Sequence, residues 1–319
     1  MMSLAADIGG TYSRLAWLDD GTVPAGDPQV FRNAEFGSLE DVISHGLAER
    51  GRSAEPIDRM VLALPGPVQG DPILLTNIDW RLRRDVLQSR FAVTRLTIVN
   101  DFQAAALGAA AEPIDRLKVL NSATPDDGAV VVAGAGTGLG MAWMPDRRPG
   151  QLPRATEAGH LDFAPNDPVQ LRLYRELAAR FGHVSYERIV SGDGLLSTYR
   201  FIAGASAEAQ TPAQIVSAAT RGDSHASEAV QLFVAVFAAY AGNLALAFNP
   251  TGGLYLCGGL AVHLAEWFDP ETFQAAFAAK GRMADMVRRI PVFLVTRHDA
   301  GLAGAIMIAR NTTGQRYDE

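Results

Sequence analysis

Two periods of apolar spacing divide the chain. Leu4 to Asp7 is a short apolar run, Gly9 and Gly10 interrupt it, and Arg14 to Leu18 is again mostly apolar, which predicts a strand, a glycine turn and a second strand. Ser38 stands ahead of a helical stretch that runs through His45 to about Arg50, with Glu40 and Asp41 in its first turn, where the helix dipole favours negative charge. Met60 to Leu64 and Leu96 to Val99 have the pattern of buried strands. The second runs into Asn100 and Asp101 and on into an alanine-rich helix from about Gln103 to Ala110, so Asp101 is expected at a strand-to-helix junction. The order then starts again, with a strand over Ala129 to Ala133, a glycine loop over Gly134 to Gly140 and a strand over Met141 to Met144.

Helical spacing dominates the second half, over Val169 to Arg180, over Leu195 to Ile202, and after the capping box Thr211-Pro212-Ala213-Gln214, whose proline falls at the first helical position. The most apolar stretch, Val230 to Phe248, is broken by Gln231, Gly242 and Asn243. A membrane-spanning helix wants about 20 nearly uninterrupted apolar residues, so a buried core helix is expected instead. Leu254 to Cys257 leads into Gly258-Gly259, and Val292 to Val295 leads into Asp299-Ala300-Gly301 and a last helix to about Arg310. Strands alternating with helices in this way make the expected class α/β.

Length adds a division to this picture. A chain of 319 residues exceeds what one compact core holds, so two lobes of roughly 100 to 200 residues around a central cleft are expected. The net charge of −7 argues against a surface that neutralises nucleic-acid phosphates or anionic lipid. Cys257 is the only cysteine, which excludes an intramolecular disulfide and a multi-cysteine zinc site and suits a reducing cytosol. No basic segment followed by a long apolar one precedes the first strand, so a cytoplasmic protein without a secretion signal is expected.

Candidate chemistry gathers at the glycine turns. Holding a polyphosphate takes several backbone N–H groups aimed at one place, and residues without a Cβ let the chain come close. Asp7-Ile8-Gly9-Gly10-Thr11, Gly134-Ala135-Gly136-Thr137-Gly138-Leu139-Gly140, and Gly252-Gly253 with Gly258-Gly259 are such turns, and the first two add a threonine hydroxyl. Each alone is more often plain hairpin geometry; their joint order favours phosphate binding. A dinucleotide fingerprint started at Gly134 would need glycine where Leu139 stands, and no G-x-x-x-x-G-K-[ST] or H-R-D with D-F-G occurs.

Phosphoryl transfer to an alcohol needs a carboxylate that orients the hydroxyl and accepts its proton, plus support for a metal and the phosphates. Asp101 is the candidate base and Asp7 the candidate metal support, although an aspartate at a helix start is commonly only a cap. Glu157 and His160 flank a small-residue turn, and Glu187 follows in His183-Val184-Ser185-Tyr186-Glu187-Arg188. Such side chains suit sugar hydroxyls, which both donate and accept, while a surface turn remains open on spacing alone.

Taken together, D-I-G-G-T-x-S-R-L-A at Asp7 to Ala16, V-N-D-F at Val99 to Phe102, G-A-G-T-G-L-G at Gly134 to Gly140, E-x-G-H-x-D-F-A-P at Glu157 to Pro165 and H-V-S-x-E-R at His183 to Arg188 resemble the bacterial glucokinases. These form a zinc-free, non-ROK branch of the hexokinase, actin and heat-shock-chaperone superfamily. The resemblance implies a duplicated ribonuclease-H-like, actin-like ATPase fold. It implies a small lobe over 1–110, completed by the C-terminal helix at about 301–319, and a large lobe over 111–300. Also implied is ATP-dependent phosphorylation of D-glucose at its 6-hydroxyl, the entry step of glycolysis. Carried over by motif, Asn100, Asp101, Glu157, His160 and Glu187 would bind glucose, with Asp101 as base. Asp7, Gly9, Gly10, Thr11, Gly136, Thr137, Gly138, Gly258 and Gly259 would bind ATP, with Mg²⁺ supported by Asp7 through water. A homodimer is implied as well. Tyr12 replaces the usual Asn after G-G-T, and Ala158 replaces the second residue of E-G-G-H.

Rival classes share parts of this pattern. An actin-like assembly or chaperone module would keep both phosphate hairpins but has no need of Glu157, His160 and Glu187. A sugar-sensing repressor would need a helix-turn-helix ahead of Asp7. A sugar-binding pseudokinase, or a kinase of another hexose, would keep every motif.

Overall fold

A computed structural model of the chain describes residues 2–19, 23–75, 78–146 and 151–311, and the end of the expected C-terminal completion, 312–319, lies outside them. Two compact units are formed, one of Met1–Ala111, Arg148–Arg154 and Asp299–Glu319, the other of Glu112–Arg147 and Ala155–His298. Both are α/β with mixed sheets.

Unit one is built on a six-stranded sheet. The hairpin Met2–Ile8 with Tyr12–Asp19 is antiparallel, and Ile57–Leu64 and Arg95–Asn100 then run parallel to the first strand. Alternation along Met2–Ile8 decides which face each residue takes. Leu4, Ala6 and Ile8 pack with Leu39, Val42, Ile43 and Leu47 of the helix Leu39–Glu49, which begins as expected at Ser38, its Oγ accepting from Asp41 N at 3.2 Å. Ala5 takes the opposite face with Val61, Ala63 and Val99, under Ala104 of the helix Asp101–Ala110 and Ala305, Ile308 and Ala309 of the helix Ala300–Arg310. Two residues beyond Ala5, Asp7 falls on that second face, and the parallel register Asp7 to Ala63 and Ala63 to Val99 puts it at the same sheet end as Asn100 and Asp101.

Unit two repeats the order of hairpin and parallel neighbours. Val130–Ala135 pairs antiparallel with Leu139–Met144 and parallel with Gly253–Cys257, which is parallel in turn to Val292–Leu294. Lys118–Asn121 closes that edge antiparallel to Val292–Leu294. The helix Ser224–Phe248 is apolar and long enough to cross a membrane by composition alone, but 78% of its apolar window is buried inside the fold. It packs against Gly192–Ala203, Pro212–Thr220 and Pro270–Phe277, with Phe233, Phe237 and Tyr240 fully buried. The Thr211 capping box is present as read, with the Gln214 side chain returning to the cap.

Candidate active site

In unit one the chemistry sits where strands Met2–Ile8 and Arg95–Asn100 end, the carboxyl edge at which open α/β sheets bind ligands. The Asp7 side chain is only 15% exposed. Burial pushes its carboxyl up to about 6; Arg14, 3.8 Å away, holds it down and Asp299 adds to the rise. The first turn of Ala300–Arg310 comes so close that a Cβ at Gly301 would lie 2.8 Å from the Asp7 carboxyl carbon. Glycine there lets the positive end of a helix reach the buried carboxylate.

Asp101 is the first residue of its helix, and the cap is Asn100. The Asn100 Oδ1 accepts from Phe102 N at 2.9 Å and Gln103 N at 3.3 Å, its backbone N–H donates to Gln103 Oε1 at 3.2 Å, and its Nδ2 donates to Gly66 O at 3.1 Å. Asparagine therefore fills the capping role that an aspartate in this place commonly takes, and Asp101 is left half-buried beside it. Burial pushes the Asp101 carboxyl up to about 6 and the charge of Asp7 adds to this, while the backbone N–H groups of Phe102 and Asp101 pull it back. A carboxylate so placed exchanges protons close to neutral pH, as a general base must.

The first glycine turn closes through Gly9 N donating to Tyr12 O at 2.9 Å. Tyr12, which departs from the resembled pattern, is 45% exposed. Gly10 and Thr11 lie open at the turn tip.

Unit two carries the second turn, where Gly136 N donates to Gly138 O at 2.9 Å and Gly136 O accepts from Gly192 N at 2.9 Å. Glu187 Oε2 accepts from Leu139 N at 2.9 Å, at the foot of that turn. Its other oxygen lies 3.9 Å from His160 Nε2, and Glu157 Oε2 lies 4.0 Å from the same nitrogen. Backbone pairing explains how residues so far apart in sequence meet: Phe163 N donates to Val184 O and Tyr186 N to Leu161 O, which lays the segment after His160 along the segment before Glu187. Ala158 lies in the short turn Ala158–His160 and packs on the unit-two core.

At the same end of this sheet, Gly258 has φ +98° and a Cβ there would strike Ala135 O, so glycine is required both by conformation and by space. Gly259 has open space around it. A polar pocket of about 290 Å³ opens beside Thr137, lined also by Glu187, Ser191 and Asp193 and by the arginines Arg180, Arg188 and Arg200. Sequence reading gives these arginines no role: Arg188 enters only as the end of the H-V-S-x-E-R motif, and Arg180 and Arg200 stand on separate helices where no spacing marks them.

Each unit thus gathers part of the expected set: Asp7, Gly9, Gly10, Thr11, Asn100 and Asp101 in one, and Gly136, Thr137, Gly138, Glu157, His160, Glu187, Gly258 and Gly259 in the other. Among the described residues no three His, Cys, Asp or Glu side chains form a metal cage. The charge of Asp7 raises the Asp101 carboxyl and that of Asp299 raises Asp7, and these carboxylates are hard oxygen donors that fit a cation whose remaining ligands come from phosphate and water.

The sequence profile of the glucokinases matches residues 4–312. The chain belongs to the glucokinase family. A glucokinase of Hahella chejuensis is 35% identical over 314 residues, covering 97% of each chain. One of Chromohalobacter salexigens is 37% identical over 313 residues, covering 97% of this chain and 98% of the relative. Among solved structures, the glucokinase of an Antarctic psychrotroph matches with a TM-score of 0.83 at 29% identity, covering 98% of this chain and 99% of that one. A ROK-family glucokinase of Streptomyces griseus, solved with glucose and AMPPNP, shares the fold at a TM-score of 0.62 and 20% identity, covering 96% of this chain and 98% of that one. The likeness carried by short motifs therefore extends over nearly the whole length of a glucokinase-family enzyme.

Proposed function

We propose that this chain moves the γ-phosphoryl group of ATP to the 6-hydroxyl of D-glucose, giving glucose 6-phosphate and ADP, the entry step of glycolysis. The observation that carries the reading is Asp101, freed from capping by Asn100 and ionised above about pH 6. As the glucose oxygen forms its bond to the γ-phosphorus, its proton passes to the Asp101 carboxylate. The bond from that phosphorus to the β–γ bridging oxygen breaks, and ADP leaves.

Asn100 in one unit and Glu157, His160 and Glu187 in the other are the sugar-binding residues of this reading; Asn100 has one amide N–H beyond its bond to Gly66 O, and Glu187 has Oε1 beyond its bond to Leu139. Gly10, Thr11, Thr137 and Gly138 present N–H and hydroxyl donors to the phosphates, Gly9 and Gly136, whose own N–H groups close their turns, let the phosphates come near, and Gly258-Gly259 receives the adenosine. The arginine-rimmed pocket beside Thr137 supports an anionic ligand there. Bound with ATP, Mg²⁺ would neutralise phosphate charge, with Asp7 supporting it through water. The recurring hairpin order in the two sheets supports a duplicated ribonuclease-H-like fold, and the enzyme works as a cytoplasmic homodimer.

The test is ADP release with ATP and Mg²⁺ against glucose, mannose, fructose and N-acetyl sugars. Turnover stimulated most by glucose is expected. Release that no sugar stimulates would overturn the proposal in favour of a pseudokinase, and a stronger response to another hexose would reassign the substrate.

A further inference from the structure

Asn33 opens the short turn Asn33–Glu35 and is 5% exposed. Its Nδ2 donates to Gly9 O at 2.8 Å, and its Oδ1 accepts from Ser13 Oγ, itself fully buried, at 2.7 Å. Its backbone N–H donates to Thr11 O at 2.9 Å. With Gly9 N reaching Tyr12 O, the carbonyl oxygens of Gly9, Thr11 and Tyr12 all have donors. The N–H groups of Gly10 and Thr11, in contrast, have no acceptor among the described residues.

That asymmetry matters because Gly9 C=O and Gly10 N–H belong to one rigid peptide plane. Between two glycines such a plane turns over with little steric resistance, and a flip would put a carbonyl oxygen where the N–H stood. An anion attracted by the one is repelled by the other. Gly9 O can only accept, so the amide nitrogen of Asn33 must face it, and Ser13 Oγ, donating to Oδ1, steadies the amide there.

We propose that Asn33 is a positioning residue for the phosphoryl donor: through Gly9 O it locks the Gly9–Gly10 peptide so that Gly10 N–H faces the phosphates. This rests on the kinase reading above, in which the first turn binds ATP. Asn33 touches no reacting atom; it acts through the turn.

Asn33→Asp keeps size and the Ser13 bond but sets a carboxylate oxygen against Gly9 O. Steady-state kinetics of this variant and of Ser13→Ala, with melting temperatures, test the idea against wild type. The KM for ATP should rise roughly tenfold or more in Asn33→Asp, the scale of one charge-assisted hydrogen bond, while the KM for glucose stays within about twofold. Ser13→Ala, which lets the amide rotate, should shift the same constant in the same direction by less, and it carries the test if Asn33→Asp does not fold. An unchanged KM for ATP, or equal changes in both constants, overturns the proposal. Wild type without sugar-stimulated turnover overturns the kinase reading and this inference with it, an outcome distinct from an active wild type with indifferent variants.

Discussion

In unit one the turn Gly9–Thr11 is held through its carbonyl oxygens by the neutral amide of Asn33, whereas in unit two the turn Gly136–Gly138 is held at Leu139 N–H by the carboxylate of Glu187. A neutral lock adds no negative charge beside a phosphate. The ionic lock adds one, part of which is met by the Leu139 N–H, with His160 Nε2 3.9 Å from its other oxygen. The difference also sets what each turn is tied to. Asn33 and Ser13 are buried and connect the first turn only to its own sheet, while Glu187 belongs at once to the second turn and to the proposed sugar contacts. If Glu187 contacts the sugar as proposed, sugar occupancy would bear directly on the second turn.

The largest test of this contrast lies in the chemistry that only unit one supplies. Asp101→Asn should lower kcat by roughly 10²-fold or more, measured as glucose-dependent ADP release, because a neutral amide cannot take up the hydroxyl proton. In wild type the same group sets a pH limb. Its carboxyl must be ionised to accept a proton and is pushed up to about 6, so kcat/KM should be level above that pH and fall toward tenfold per pH unit below it. The limb should be broadened by Asp7, which titrates in the same range.

Next in size, Glu187→Ala should raise the KM for glucose and for ATP together, each by about tenfold, since it removes a charge-assisted bond to the turn and a sugar acceptor in one change. A rise confined to glucose would break the link between turn and sugar. Smaller still is a stability effect in unit one. The Asp7 carboxyl binds its proton more tightly folded than unfolded, so charging it costs stability as pH rises from about 4 to 6, and the cost is complete above that. Asp7→Asn should melt higher than wild type at pH 7.5 by about 1 kcal/mol, under the ceiling of about 3 kcal/mol that a carboxyl moved from 3.8 to about 6 sets, and the gain should vanish below pH 4. Its activity should fall all the same.

The smallest effect separates two glycines of one turn. A Cβ at Gly138 would lie 2.7 Å from Glu187 Oε2, while one at Gly136 meets nothing within 4 Å. Gly136→Ala should leave unfolding free energy within about 0.5 kcal/mol of wild type. Gly138→Ala should displace the Glu187 carboxylate and raise the KM for glucose a few-fold.

Much of this was legible in sequence because the signals are local. Ser38, Thr211 with Pro212, and the glycine breaks mark element ends through side-chain and backbone geometry that acts over three or four residues. The spacing Asn100 to Gln103 is the same kind of signal, yet sequence alone leaves Asp101 open as the cap of a helix from about Gln103; the structure gives the cap to Asn100 and starts the helix at Asp101. Asn33 could not be found this way: it lies 24 residues from Gly9, and only the pairing of Gln29–Arg32 with Tyr12–Asp19 brings it to the turn. Gly301 meets Asp7 through helix packing of the same long range. Periodicity reports which face a residue takes, and it says nothing of what stands opposite.

The helix Ala300–Arg310 covers Ala5, Val61 and Ala63 in the unit that contains the first strand, yet the whole of the other unit is encoded between them. On the ribosome, at about 5 to 20 residues per second, the first sheet must wait on the order of ten seconds or longer for the helix that covers this face. During that interval an apolar sheet face lacks its cover, and slower, cooler expression should favour the soluble chain over inclusion bodies.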